Sequence, residues 1–191
     1  MKPVDRSEIL GLPEYETIRG PFRLRVIEEK KRRRVAVGGR VSAVFENHDT
    51  VLLQIQEMLR TERITREAAV LHEIETYNQL IPGFGELSAT MMVEIPEAAD
   101  REAFLDAARG FERHVALVVD GQRFAATFDP TRVLPDRASA VLYVKFPLSA
   151  AASEAIRVRR ASVSLVIDHF AYEAKATLGA DVLANLAVDL S

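Results

Sequence analysis

The apolar residues between Val35 and Ile95 change period twice, which no all-helical or all-strand fold accommodates. Val35, Val37, Val41, Ala43 and Phe45 alternate with Arg40, Ser42 and Glu46, which predicts a half-buried strand with Gly38-Gly39 as a bulge. Val51, Leu52, Ile55, Met58 and Leu59 then recur at helical spacing, as do Val70, Leu71, Ile74, Tyr77 and Ile81. Asn47 or Asp49 is placed to cap the first of these helices and Thr65 the second, and Pro82-Gly83 ends the pair. From Leu87 the period returns to two: Leu87, Ala89, Met91, Val93 and Ile95 face away from Glu86, Ser88, Thr90 and Glu94. A strand, an antiparallel helical hairpin and a second strand therefore follow one another.

The flanking segments extend this pattern. Tyr15, Ile18, Phe22 and Val26 predict a helix over residues 14–34, with Gly20-Pro21 expected to break or kink it. Beyond Glu86 the chain reads as antiparallel sheet with helical insertions at 100–109, 149–157 and 180–189. Asp120-Gly121 marks a hairpin, residues 140–146 form a strand, and residues 163–176 read as one long strand. The expected fold class is α+β: an antiparallel β-sheet with an N-terminal helix and a helical hairpin packed on it. One domain over residues 1–191 is the simplest organisation; a subdivision near residue 85 would leave strand 35–45 without a sheet. Hydrophobic residues make up 48% of the chain, enough for a sizeable core.

Composition removes several chemistries. With no cysteine, the chain forms no disulfide, thiol nucleophile, cysteine-bound zinc or iron–sulfur cluster of its own. A net charge of −3 argues against a general polyanion binder, so nucleic acid is not an expected partner. No apolar run reaches the length of a membrane span, and the first residues carry no signal peptide, so a cytoplasmic location is expected. The four histidines, His48, His72, His114 and His169, lack metal-ligand spacings, and no metal site is assigned.

The polar residues worth following sit at junctions. Glu46, Asn47 and His48 fall where a strand gives way to a helix N-terminus, a place that favours anions. Pairing of the two strands would bring Glu86, Ser88 and Thr90 beside Glu46 and build a polar pocket. Asn78 lies within an apolar stripe, so its amide must find partners, either a ligand or the backbone of the Pro82-Gly83 turn. Ligand-binding candidates are thus Glu46, Asn47, His48, Asn78, Glu86 and Ser88. His169 continues the face of Val163, Leu165 and Ile167 and reads as a core histidine. The basic run from Lys30 to Arg34 reads as a solvated helix end that complements the helix dipole.

Lys31-Arg32-Arg33-Arg34-Val35-Ala36-Val37-Gly38, Phe45-Glu46-Asn47, Gln54-Ile55-Gln56-Glu57-Met58, Tyr77-Asn78, Ile81-Pro82 and Glu86-Leu87-Ser88-Ala89-Thr90 occur in that order. In this the chain resembles an uncharacterised bacterial family, domain of unknown function 3501, with the likeness densest over residues 15–95. The resemblance brings no catalytic residue and no cofactor. It implies a setting beside rubrerythrin-type and other redox genes, hence a link to redox or peroxide stress and a redox protein as partner. The function expected is that of a soluble, non-catalytic binding or accessory protein, with a homodimer as a further candidate assembly. The alternative is a small-ligand or metal-dependent enzyme working in the polar pocket around Glu46.

Overall fold

The computed structural model describes residues 1–191 and contains six α-helices and eight strands: α1 (Leu12–Lys31), β1 (Arg34–Val37), β2 (Val41–Phe45), α2 (His48–Thr61), α3 (Glu67–Asn78), β3 (Glu86–Val93), α4 (Ala98–Ala107), β4 (Val115–Val119), β5 (Gln122–Ala125), β6 (Val141–Pro147), α5 (Ala150–Arg157), β7 (Val163–His169), β8 (Tyr172–Thr177) and α6 (Ala180–Asp189). The α+β class is as expected. The strands, however, divide between two four-stranded antiparallel sheets, ordered β1-β2-β3-β6 and β5-β4-β7-β8.

One apolar cluster draws on both sheets. Phe45, Leu87, Met91 and Phe146 come from the first, and Val115, Leu117, Leu165 and Ile167 from the second. The inward rows of the two sheets therefore face each other. Phe104 of α4, Ile156 of α5 and Leu186 of α6 complete the same core. At one seam the Tyr172 hydroxyl donates to Val37 O at 2.6 Å and accepts from Arg40 N at 3.2 Å. At the other, a single bridge joins Thr127 to Lys145.

Ser42, Val44, Ser88 and Thr90 point to the outer face of the first sheet and are buried as well, so that face is covered. A second apolar cluster lies there, built from Val51, Ile55 and Leu59 of α2, Val70 and Ile74 of α3, and Val4 and Ile9 of the N-terminal segment. α1 docks on α2 through a polar contact. Arg19 Nε and Nη2 donate to the two Glu57 oxygens at 2.8 Å, and the buried Tyr15 hydroxyl donates to Glu57 Oε1 at 2.8 Å. The Arg19 hydrogen bonds hold the Glu57 carboxyl below the usual range. Burial, then the Glu57 carboxylate, pushes the Tyr15 phenol up.

Four sequence expectations need correction. Gly38-Gly39 is the turn of a β1–β2 hairpin, not a bulge; Gly38 has φ +70° and Val37 pairs with Val41. Helix α1 is not broken at Pro21, which occupies an exposed position within the continuous helix. The segment 163–176 is a hairpin: His169 pairs with Tyr172, and Phe170-Ala171 turn without glycine, proline or asparagine. Arg33 is not solvated; it is buried against Asp189 at the end of α6.

Candidate functional site

β2 pairs with β3 so that Phe45 lies opposite Ala89, and Glu46 N donates to Ser88 O at 2.8 Å. This brings Glu46 and Thr90 together, as strand pairing predicts. Glu46 is 2% exposed. The Thr90 hydroxyl donates to its Oε1 at 2.6 Å, and the Thr50 hydroxyl donates to its Oε2. Asn47 caps α2: its Oδ1 accepts from Thr50 N at 3.0 Å, while Asn47 N donates to Thr50 Oγ1 at 2.9 Å. The Asn47 amide donates to Glu29, which also accepts from Arg33 Nε at 3.2 Å. Arg33 in turn donates to both Asp189 oxygens, at 2.6 and 2.9 Å. A continuous polar chain thus crosses from Thr90 to Asp189. Each partner is supplied by the protein itself.

The other candidates disperse. His48 points outward, with Nε2 3.1 Å from Glu8 and Nδ1 3.3 Å from Asp49. Asn78 grips the N-terminal segment: its Oδ1 accepts from Val4 N and its Nδ2 donates to Val4 O, each at 2.9 Å. Its partner is therefore Val4 and not the Pro82-Gly83 turn. Gln56 does the same for Leu10, accepting from its N–H at 2.7 Å and donating to its carbonyl at 3.4 Å. His169 is buried as the sequence suggests. Its Nδ1 accepts from Ala171 N at 3.2 Å, which leaves Nε2 to donate to Arg109 O at 3.0 Å. No group of three or more histidine, aspartate and glutamate side chains is placed to hold a metal ion.

Glu86 and Ser88 lead to a different place. Glu86 accepts from Gly83 N at 2.9 Å and pairs with Lys145 of β6 at 3.0 Å. Ser88 opens onto a cleft of about 600 Å³ that runs along β6. Gln79 and Leu80 wall it on one side, the segment from Thr127 to Val133 on the other, and Val141 to Lys145 form its floor. The Arg132 guanidinium lies 5.6 Å from the Tyr143 ring centroid. Arg132 Nη2 donates to Gln79 Oε1 at 3.4 Å, and its Nε is 3.5 Å from Asp129. Hydrogen bonds from Thr131 hold the Asp129 carboxyl below its usual range. Apolar and hydrogen-bonding groups thus converge in a concave site, the arrangement typical of ligand pockets.

Sequence reasoning missed Arg132, Tyr143 and Lys145. The available signal was Asp129-Pro130 directly after a strand pattern, which marks a strand forced off its line. Tyr143 and Lys145 occupy the outward row of the following strand.

Fold and cleft together define an α+β protein of two facing antiparallel sheets, with a helical layer over one of them and an open groove at a seam. The chain belongs to the family described as protein of unknown function (DUF3501), whose sequence model matches residues 3–190. A crystal structure of a novel protein of unknown function from Burkholderia pseudomallei K96243 is 32% identical to it, covers 100% of both chains and superposes with a TM-score of 0.93. No curated protein matches the chain.

Proposed function

We propose that this chain is a non-catalytic binding protein whose ligand seats in the cleft along β6. The observation that carries this reading is the cleft itself: about 600 Å³, walled by apolar side chains and by Arg132, Lys145, Tyr143, Ser88 and Gln79, with no histidine in its lining. The enzyme alternative centred on Glu46 has less support, because that carboxyl is enclosed and both its oxygens accept from threonine hydroxyls. In the redox setting that the family resemblance implies, a chain without cysteine would serve a redox partner as an accessory factor, not as a thiol carrier.

The test is amide chemical-shift mapping against a mixed collection of aromatic carboxylic acids, amides and short capped peptides. Perturbations should gather on Ser88, Arg132 and the residues from Leu142 to Lys145. Responses gathered on Glu46, Thr50 and Thr90, with the cleft silent, would overturn the assignment in favour of the enzyme reading.

A further inference from the structure

The backbone of β6 has two edges, and only one is satisfied along its whole length. Leu142, Val144 and Phe146 pair toward Met91, Ala89 and Leu87 of β3. Lys145 turns its own N–H and C=O the other way, donating to Thr127 O at 2.8 Å and accepting from Thr127 N at 2.7 Å. Alternation along an antiparallel strand aims Tyr143 and Val141 at that same edge. Neither has a backbone or side-chain partner for its N–H or C=O on that side. Unpaired strand edges of this kind are templates for another strand.

The neighbouring chain explains the gap. β5 and the residues after it run beside β6 as far as Thr127 and would next place residue 129 opposite Tyr143. Instead Asp129 caps Thr131 N at 2.9 Å, Pro130 offers no N–H, and the chain leaves in a short 3-10 turn. The cleft opens beside this diversion, with Asp129, Arg132 and Val133 in its lining, and extends over the outer face of β6.

We propose that the cleft is a strand-addition site. It takes an extended segment of a partner protein, laid antiparallel along β6 in line with β5. This rests on the binding reading above and names its ligand class. Only an extended main chain offers donors and acceptors at the repeat that Val141 and Tyr143 present. Side chains of the segment that stand opposite Tyr143 share its outer face, where Arg132 and Lys145, now paired with Asp129 and Glu86, are the cationic donors that a carboxylate row would recruit. The alternate row faces Leu142 and Val133 and is apolar.

The probe is a capped five-residue peptide with glutamate at its second and fourth positions and valine elsewhere. Two isomers accompany it, one N-methylated at the glutamates and one at the valines. The parent should shift the Tyr143 amide and slow its hydrogen exchange. Methylation at the glutamates, whose N–H groups face β6, should weaken binding about tenfold or more, the effect of losing two hydrogen bonds. Methylation at the valines should leave binding within about twofold, since those N–H groups face away. Equal binding by both isomers would refute strand addition while leaving the cleft as a ligand site, as would benzoate occupying the cleft when the peptide does not. A Tyr143 amide protected without probe, in proportion to protein concentration, would give the edge to a second copy of the chain and refute the peptide. A cleft silent to every probe would sink both this inference and the binding reading.

Discussion

Replacing Asp189 by alanine leaves the Arg33 guanidinium buried without its main counter-charge. The side chains are 3% and 2% exposed, and two hydrogen bonds join them. Removing one member of a buried pair costs about 3–5 kcal/mol, chiefly because the survivor stays desolvated. Glu29 still faces Arg33 Nε at 3.2 Å, which places the loss near the low end, about 3 kcal/mol. In a chain of 191 residues that corresponds to a fall in Tm of roughly 6–12 °C. Urea unfolding followed by circular dichroism gives the free energy directly. The double variant Arg33→Met with Asp189→Leu removes both charges and should recover more than half of the loss. A single-variant cost under about 1 kcal/mol, the range of exposed pairs, would refute the claim that burial governs this contact. So would a double variant whose cost equals the sum of the two singles.

Three further outcomes follow from contacts already described. Asn78→Leu should destabilise by about 1–3 kcal/mol by stranding Val4 N–H and C=O, and proteolysis should then cut first within residues 1–10; an unchanged or higher stability would remove Asn78 from the list of clamps. Glu57 has a depressed folded-state pKa, so its contribution is present above the ordinary glutamate value and lost as pH falls through the lower folded one. Denaturation midpoints from pH about 5 downward should therefore drop more steeply for the native chain than for Glu57→Gln, and parallel curves would count against the Arg19–Glu57 contact. Gly38→Ala places a Cβ 2.3 Å from the Tyr172 hydroxyl at φ +70°, and that hydroxyl is held by Val37 O. A loss of about 2 kcal/mol or more is expected in thermal melts, and a neutral result would mean that the seam yields easily.

Local periodicity carried the helical hairpin, the β2–β3 pairing and the hairpin at Asp120-Gly121, where both turn residues have positive φ. What it lacked was anything set by distant packing. Residues 163–176 alternate without a turn residue, so only the pairing of His169 with Tyr172 reveals the reversal. Glycine reads alike in a bulge and in a hairpin, and Gly38-Gly39 was resolved by its approach to Tyr172 on β8. Arg33 is the fourth of five consecutive basic residues, and its partner lies 156 positions along the chain. Of the candidate ligand residues, Glu46 met Thr90 as the pairing required, while Asn78 and His48 turned to the N-terminal segment. The cleft depends on where β5 is diverted relative to β6, which is a property of the assembled sheets and not of either segment.

Asn78 and Gln56 hold Val4 and Leu10 by their peptide groups, not by their side chains. Such a grip is indifferent to most of the sequence it holds. Beyond the apolar needs of Val4 and Ile9, substitutions at exposed positions such as Lys2 or Ser7 should drift freely without loosening the segment. The same indifference has a cost at high concentration. The two amides have no side-chain feature by which to tell their own segment from the equivalent segment of a neighbouring molecule, so only the tether, which keeps the chain's own segment at high effective concentration, opposes its exchange between copies.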